Sequence, residues 1–336
     1  MSKLKCGIIG FGGLGKMHFF NLIKNENVEV VALCDVCERQ FTEAKDTNQG
    51  KGEAPLDVSC YNLYADVEEM LCKENLDLVV VAVPTFLHAK YTIMALDRGA
   101  HVFCEKPMAR TPQEATEMVL AAKRNNKQLA IGQVSRFGKA FEYIKEAYDS
   151  GKHGKLLRLD LSRQSFTPVW GWENWYMDFE KSGGAALDLH VHDTDYINYL
   201  LGRPREVSSQ AIDNISGFDC IKTNYYFDNT DALVSATGAW NMPNSYGFKL
   251  SIFAQFEHAV ITNDPKGYII APDEGEATTV EIDPAYSSYD AEMRLFIDCI
   301  ISGKQNLKVT PESTAQSVEI VFAEMESVRS KSVVEL

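Results

Sequence analysis

The sequence predicts an α/β fold: a doubly wound parallel sheet over residues 1–134, then an α+β domain over residues 135–336 with a large, mostly antiparallel sheet. Three observations carry this. The chain opens on a strand, a tight turn and a helix start between Leu4 and His18, with glycines at 10, 12 and 15. Short continuous apolar runs then alternate with helical segments up to residue 133, the pattern of a parallel sheet buried on both faces. After residue 135 the runs lengthen and alternate polar with apolar residues, as antiparallel strands with one covered face do.

In the opening unit, Leu4, Cys6, Ile8 and Ile9 form the apolar strand, and Gly10, Gly12 and Gly15 follow in the spacing G-x-G-x-x-G. Gly10 lets the chain turn sharply, Gly12 lets backbone approach a pyrophosphate, and Gly15 lets helix and strand pack closely. The anion then meets free N–H groups at the helix N-terminus. A second apolar run, 28–34, ends in Asp35, 20 residues beyond Gly15, where a carboxylate can hydrogen-bond adenosine ribose hydroxyls. Residues 1–134 therefore read as an NAD(P)-binding Rossmann domain. NAD is the expected cofactor, since Asp35 would repel a 2′-phosphate and no arginine follows it immediately; Arg39 keeps NADP open.

Further along, 38–45 reads as a helix, 48–55 as a polar loop and 67–73 as a short helix. Residues 77–83, DLVVVAV, have the composition of a central parallel strand and end at Pro84-Thr85. A helix over 86–98 is closed by Gly99, and a strand over 100–104 runs into Glu105-Lys106-Pro107. Thr111-Pro112-Gln113-Glu114 is a capping box with proline at the first helical position, so a helix runs from there to about 125. A strand over 128–133 completes the set. Gly10, Asp35, Pro84 and Lys106 all stand at C-terminal strand ends, where such sheets bind ligands. In the second domain, a helix (139–148) and a turn (151–154) precede strands at 156–164, 206–212, 219–227, 232–239, 248–256, 259–262 and 267–270. Helices over 290–301 and 311–330 close the chain.

The 336 residues carry a formal charge of −14, with 45% hydrophobic and 24% charged residues. That balance is globular, and it disfavours nucleic acid or an anionic membrane surface as partner, since phosphate binding needs a basic patch. No secretory leader and no run of about 18 apolar residues is present, so a cytoplasmic protein without a membrane span is expected. Cys6, Cys34 and Cys104, three of the eight cysteines, fall in or at the end of apolar runs and read as reduced core residues. The pair Cys34-x-x-Cys37 has Asp35 inside it and no second pair at zinc spacing, which argues against a metal or redox site.

Two groups of residues can do chemistry. Lys106 is either a solvated surface charge or, aimed into a closing crevice, a group that holds or relays a hydroxyl proton. The run from Gly183 through Asp188, His190, His192 and Asp195 to Gly202 has the length, leucine spacing and Gly-Arg-Pro stop of a helix. At about 100° per residue, Asp188 and His192 are then neighbours about 40° apart, while His190 lies about 200° from Asp188. No three-ligand metal face results, and no metal is expected. Asp188 and His192 suit a base held by its carboxylate, or they cap and satisfy a helix start; His190 reads as packing or as lining of a substrate pocket. Trp170, Trp172, Trp175 and Tyr176 form either a stacking wall for a sugar ring or a packed loop. At least one indole belongs in the core, and Trp175 or Trp172 is the candidate to face the crevice.

With these motifs in this order, the chain resembles the Gfo/Idh/MocA family of nicotinamide-dependent oxidoreductases over essentially its whole length. The specific part is Glu105-Lys106-Pro107 with the later D-x-x-x-H; the glycine motif with Met17-His18, Asp35, Pro84-Thr85 with His88, and Ser182-Gly183-Gly184 accompany it. The resemblance implies that Lys106, Asp188 and His192 form the catalytic trio. It implies that Gly10, Gly12, Gly15, Asp35, Pro84, Thr85, His88 and Glu105 contact the cofactor, and that Gln133 and Arg136 lie near the crevice. Ala185 stands where many relatives have a third glycine, and His190 where many have a small residue, which would bring an imidazole near the substrate. Arg136, Trp175 and His190 are thus the expected substrate residues. The implied reaction is hydride transfer between nicotinamide and a secondary hydroxyl or ketone of a sugar, cyclitol or related polyol, in a homodimer or homotetramer. The alternatives are a glycosidase that retains NAD and acts by transient oxidation, a metal-dependent hydrolase through His190 and His192, and a non-catalytic sensor of dinucleotide and sugar.

Overall fold

A computed structural model describes residues 2–42 and 57–336, in two compact units. One comprises Met1–Gly132 with Tyr289–Ala315, the other Gln133–Ser288 with Gln316–Leu336. A single cut after residue 134 therefore does not describe the chain, because a segment near the C-terminus returns to the first unit.

The first unit holds, among the described residues, six parallel strands: β1 (Leu4–Ile9), β2 (Val28–Cys34), β3 (Asn62–Tyr64), β4 (Leu78–Val81), β5 (His101–Cys104) and β6 (Leu129–Ile131). Their spatial order is β3-β2-β1-β4-β5-β6. The helices between them are α1 (Gly13–Leu22), α2 (Val67–Lys73), α3 (His88–Asp97) and α4 (Pro112–Arg124). One row of the sheet runs Leu33, Ile8, Val80, Phe103, Ala130 in register. It packs under Phe19 and Leu22 of α1 and under Met293, Phe296 and Ile297 of the returning helix Ser288–Ser302. Val79, Val81, Val102 and Cys104, the alternate residues, are also buried completely. Burial on both faces is why these strands read as unbroken apolar runs.

The expected capping box forms: Thr111 Oγ1 accepts the Glu114 N–H at 3.2 Å, and Glu114 Oε2 accepts the Thr111 N–H at 3.1 Å. Of the helix expected over 38–45, Glu38–Phe41 is a short 3₁₀ turn, and the part from residue 43 onward, like the loop expected at 48–55, lies outside the described residues.

The second unit has α5 (Lys139–Ser150) before β7 (Leu156–Phe166) and the short α6 (Phe179–Ser182) before α7 (Val191–Leu201). The strands β8 (Glu206–Ile212), β9 (Cys220–Tyr226), β10 (Leu233–Met242), β11 (Lys249–Phe256), β12 (Ala259–Asp264), β13 (Gly267–Pro272), β14 (Thr278–Glu281) and β15 (Val334–Glu335) follow. With β7 they make a nine-stranded sheet, in which β7 pairs parallel with β10 and every other pairing is antiparallel. Its covered face packs Leu159, Leu161, Val234, Ala236, Ile252 and Ala254 against Phe141 and Ile144 of α5 and Tyr196, Ile197 and Leu200 of α7. The helices α8 (Ser288–Ser302) and α9 (Pro311–Ser330) end the helical inventory. β3, β14 and β15 escaped the sequence reading because each has four residues or fewer and carries no apolar alternation.

Candidate active site

The glycine loop at the end of β1 divides its tasks by sterics. Gly10 adopts φ +88°, and a Cβ there would lie 2.4 Å from the Ala82 carbonyl oxygen. A Cβ on Gly15 would lie 1.9 Å from the Gly10 oxygen, which fixes how closely α1 approaches the loop. Gly12 caps α1 in an extended conformation with no side-chain acceptor, and a Cβ on it would meet nothing within 4 Å. That open backbone at a helix N-terminus suits an anion such as a pyrophosphate.

Asp35 braces this loop. Its Oδ2 accepts the Phe11 N–H at 2.7 Å and its Oδ1 the Cys37 N–H at 2.8 Å. Each carboxylate oxygen has further acceptor capacity, so ribose hydroxyls fit the same group. Asp35 is thus both a structural acid and a candidate cofactor ligand. The neighbouring Cys34 thiol is pushed up to about 12, by burial first and then by Asp35, Asp66 and Glu69, so it stays protonated and unreactive.

At the end of β5, Glu105 is buried, and its Oε1 lies 2.6 Å from His18 Nε2 while its Oε2 accepts the Lys106 N–H at 3.2 Å. Burial opposes ionisation of Glu105, yet the hydrogen bond and charge of His18 and the charge and N–H of Lys106 carry its pKa below the usual value. Glu292, on α8, is 2% exposed with no hydrogen-bond partner for either carboxylate oxygen; burial and the charge of Glu105 push its pKa far up. Lys106 itself is half-buried at the strand end.

His88 is buried between two backbone carbonyls. Its Nδ1 lies 2.7 Å from the Pro107 carbonyl and its Nε2 2.8 Å from the Val83 carbonyl, and it is 1% exposed. The ring lies between the turn after β4 and the segment after Lys106, and the single N–H of its neutral form can donate to one of the two carbonyls. Burial lowers its pKa, against the two carbonyls and Glu105. Pro84 opens the short 3₁₀ turn Thr85–Leu87, and Thr85 is buried.

In the second unit, the expected helix through Asp188 begins differently from a uniform α-helix. Gly183 and Gly184 are left-handed (φ 78° and 68°), Ala186–His190 form a π turn, and α7 follows. Such wide turns recur at functional sites. A Cβ on Gly184 would lie 1.9 Å from the Gly217 oxygen, so Ser182-Gly183-Gly184 marks a forced close approach. Asp188 is half-buried and faces a cleft of about 60 Å³ shared with Ser165, Phe166, Pro168, Trp170, Tyr176, Leu189 and Trp240. His192 is 7% exposed at the start of α7.

The three expected substrate residues each have close partners within the second unit. Arg136 is 1% exposed and grips Asp195 with Nε at 2.8 Å and Nη2 at 2.7 Å; Ser317 Oγ adds a bond to Asp195 Oδ1 at 2.8 Å. His190 is fully buried, with Nε2 3.3 Å from Glu324 Oε2 and 3.2 Å from the Tyr225 hydroxyl. Gly238 of β10 has no room for a Cβ, which would lie 2.6 Å from that of His190. Trp175 is 8% exposed and stacks on Tyr176 at 4.0 Å, so it anchors the loop and leaves the cleft to Trp170, Tyr176 and Trp240. For Arg136 and His190 the sequence reading lacked the partner, since Asp195, Glu324 and Tyr225 are distant from them in the chain. It also missed Arg163, whose Nη2 holds Asp193 Oδ1 at 2.9 Å, and Trp240, whose indole N–H reaches Ser216 Oγ at 3.0 Å. Among the described residues, no group of three or more His, Cys, Asp or Glu is placed to hold a metal ion, and no helix is long and apolar enough to cross a membrane.

Comparison with known proteins matches both units. Residues 4–133 fit the family described as "Oxidoreductase family, NAD-binding Rossmann fold" and residues 141–257 the "GFO/IDH/MocA C-terminal domain". The D-glucoside 3-dehydrogenase of Escherichia coli K12 is 28% identical over 76% of this chain and 67% of its own length. The 2,7-anhydro-N-acetylneuraminate hydratase of Mediterraneibacter gnavus is 30% identical over 73% of this chain and 64% of its own length, so these matches span about two thirds of the relatives. The crystal structure of myo-inositol 2-dehydrogenase from Lactobacillus plantarum superposes with a TM-score of 0.81 at 22% identity, covering 100% of both chains, which is a likeness of fold. The glycine loop with Asp35, the Glu105-Lys106-Pro107 strand end and the two matched domains together place this chain in the Gfo/Idh/MocA family of oxidoreductases with an NAD-binding Rossmann fold.

Proposed function

We propose that the protein is an NAD-dependent dehydrogenase that oxidises a secondary hydroxyl of a sugar, cyclitol or related polyol, or reduces the corresponding ketone. The observation that carries the reading is the second unit's π turn, which presents a half-buried acid, Asp188, to an aromatic cleft and leads directly into His192. Aromatic rings take the C–H face of a polyol ring, and the carboxylate takes its hydroxyls.

NAD, when bound, supplies the hydride acceptor. Gly12 and the N-terminus of α1 would hold its pyrophosphate, and Asp35 its adenosine ribose; the negative charge of Asp35 disfavours a 2′-phosphate. As the carbinol C–H bond breaks with its electron pair, His192 takes the hydroxyl proton, since imidazole titrates near working pH. Asp188 orients that ring and stabilises its cationic form. Lys106 stabilises the developing alkoxide charge. Glu105, in contact with His18 Nε2, holds the strand end that carries Lys106.

The test is to incubate the protein with NAD or NADP across a panel of cyclitols, aldoses and glycosides while following reduced nicotinamide. A signal with NAD and one polyol group is expected; a stronger signal with NADP overturns the cofactor assignment. The hydratase relative favours a second reading, a net redox-neutral reaction in which oxidation is transient and NAD is retained. Product formation with no net NADH would establish it. We further propose a cytoplasmic homodimer or homotetramer joined through the less buried face of the nine-stranded sheet, where Arg158, Asp160, Ser162 and Gln164 of β7 lie; light scattering tests the assembly.

A further inference from the structure

We infer that the aromatic cleft beside Asp188 is a subsite for a second ring of the substrate, so that the polyol is oxidised as a glycoside with its aglycone or neighbouring sugar lying against Trp170. The inference rests on the dehydrogenase reading for the role of Asp188, and on the geometry of residues 165–178 for the rest.

Four aromatic side chains from separate segments form a continuous wall. Phe166 at the end of β7 lies 5.3 Å from Trp170, Trp170 lies 6.1 Å from Tyr176, and Tyr176 lies 6.2 Å from Trp240 at 82°. The wall is closed at one end and open at the other: Trp240 is 1% exposed, while Trp170 is 44% exposed. Trp240 is fixed by its indole N–H on Ser216 Oγ and on Asp219 Oδ1 at 3.2 Å. Asp219 in turn accepts the backbone N–H groups of Asn214, Ile215 and Ser216. The loop carrying Trp170 is equally constrained. Trp175 anchors it in the core, a Cβ on Gly171 would lie 2.7 Å from Tyr176 Cδ2, and the consecutive residues Glu173 and Asn174 are both left-handed (φ 49° and 54°). Consecutive non-glycine residues in that region are strained, and such strain concentrates at functional sites.

A large indole is held partly out to solvent by a strained loop, beside a cleft that Asp188 and Leu189 also line. Asp188 is assigned to His192, so the reacting ring lies on that side. Whatever extends from the reacting ring past Asp188 runs outward over the face of Trp170. A flat or pyranose second ring fits there by stacking, whereas a free monocyclic polyol leaves the indole uncovered.

The experiment compares phenyl β-glucoside with methyl β-glucoside by calorimetric titration into the NAD-loaded protein, alongside NADH formation. The two probes differ only in the second ring. The wild-type protein should bind the phenyl glucoside about 3- to 10-fold more tightly. Trp170→Ala should abolish that ratio and Trp170→Phe should keep most of it. An equal affinity for the two probes, binding of neither, or a ratio that survives Trp170→Ala overturns the subsite. A normal ratio with no NADH formed from either probe retains the subsite and overturns the dehydrogenase reading instead.

Discussion

The guanidinium of Arg136 and the carboxylate of Asp195 meet through two parallel bonds at 2.8 and 2.7 Å, with both residues at 1% exposure or less, and Tyr199 stacks 4.9 Å from the guanidinium carbon. The pair ties α7, and with it the π turn bearing Asp188, to the segment after β6. Removing one partner leaves a buried charge uncompensated, which costs about 3–5 kcal/mol. Asp195→Ala should therefore lower the melting temperature by many degrees, and Arg136→Met combined with Asp195→Leu should recover most of the loss. Scanning calorimetry decides. A variant of Arg136 that alters KM alone, with unchanged melting, would mark it as a substrate residue instead.

Gly12 and Gly15 should separate binding from folding. Gly15→Ala drives a methyl into the Gly10 oxygen and should destabilise the first unit strongly. Gly12→Ala meets nothing in the protein, so stability should change by less than about 0.5 kcal/mol. Its NAD affinity should nonetheless fall at least about tenfold, because the methyl occupies the approach to the pyrophosphate. Fluorescence titration with NADH tests this, and an unchanged affinity in Gly12→Ala would remove the phosphate from that loop.

Lys106→Ala and His192→Ala should each lower turnover by about 10² or more while leaving the NADH dissociation constant within a few-fold of wild type. Retained turnover in both would end the assignment of the proton-transfer roles.

Glu292 gives a pH signature. Its carboxyl pKa is raised by burial and by the charge of Glu105, so the folded state binds its proton more tightly than the unfolded state does. The stability this confers is fully present below the unfolded carboxyl value and is lost as pH rises toward the folded pKa. Wild type should therefore lose ground to Glu292→Gln by about 1.4 kcal/mol per pH unit above about 4.5, until Glu292 ionises in the folded protein. Melting temperatures of the two proteins at pH 4, 6 and 8 should diverge with rising pH. Parallel curves would mean that Glu292 is already ionised in the folded protein or is solvated.

The parts of this molecule that were legible in the sequence are those written locally. The apolar runs of β1, β2, β4 and β5, the Thr111 capping box and the glycine spacing each depend on neighbours within a few residues, and each was readable. The helical character of the Asp188 segment was readable from its leucines and its stop at Gly202. Its π turn was not, since no local pattern marks it, and the close approach of Gly184 to Gly217 beside it spans 33 residues of chain. The surroundings of Arg136 and His190 were not legible, because their buried partners Asp195, Glu324 and Tyr225 are brought to them only by the tertiary fold. Trp240 passed unnoticed because it sits in an ordinary strand pattern and only the tertiary fold carries Tyr176 to it.

The return of α8 to the first unit sets a timetable for biosynthesis. Phe103 of the central sheet lies 6.0 Å from Phe296, which the ribosome adds 193 residues later. At 5–20 residues per second, the nucleotide-binding core waits about 10 to 40 s for the helix that seals one of its faces. The row Leu33, Ile8, Val80, Phe103, Ala130 is uncovered by that helix for the whole of this interval, including the time in which strands β7 to β14 of the second unit are made. A nascent chain halted near residue 280 should accordingly expose an apolar sheet face to chaperones, and an isolated fragment ending at residue 134 should need the segment Tyr289–Ala315 supplied in trans to become soluble and bind nucleotide.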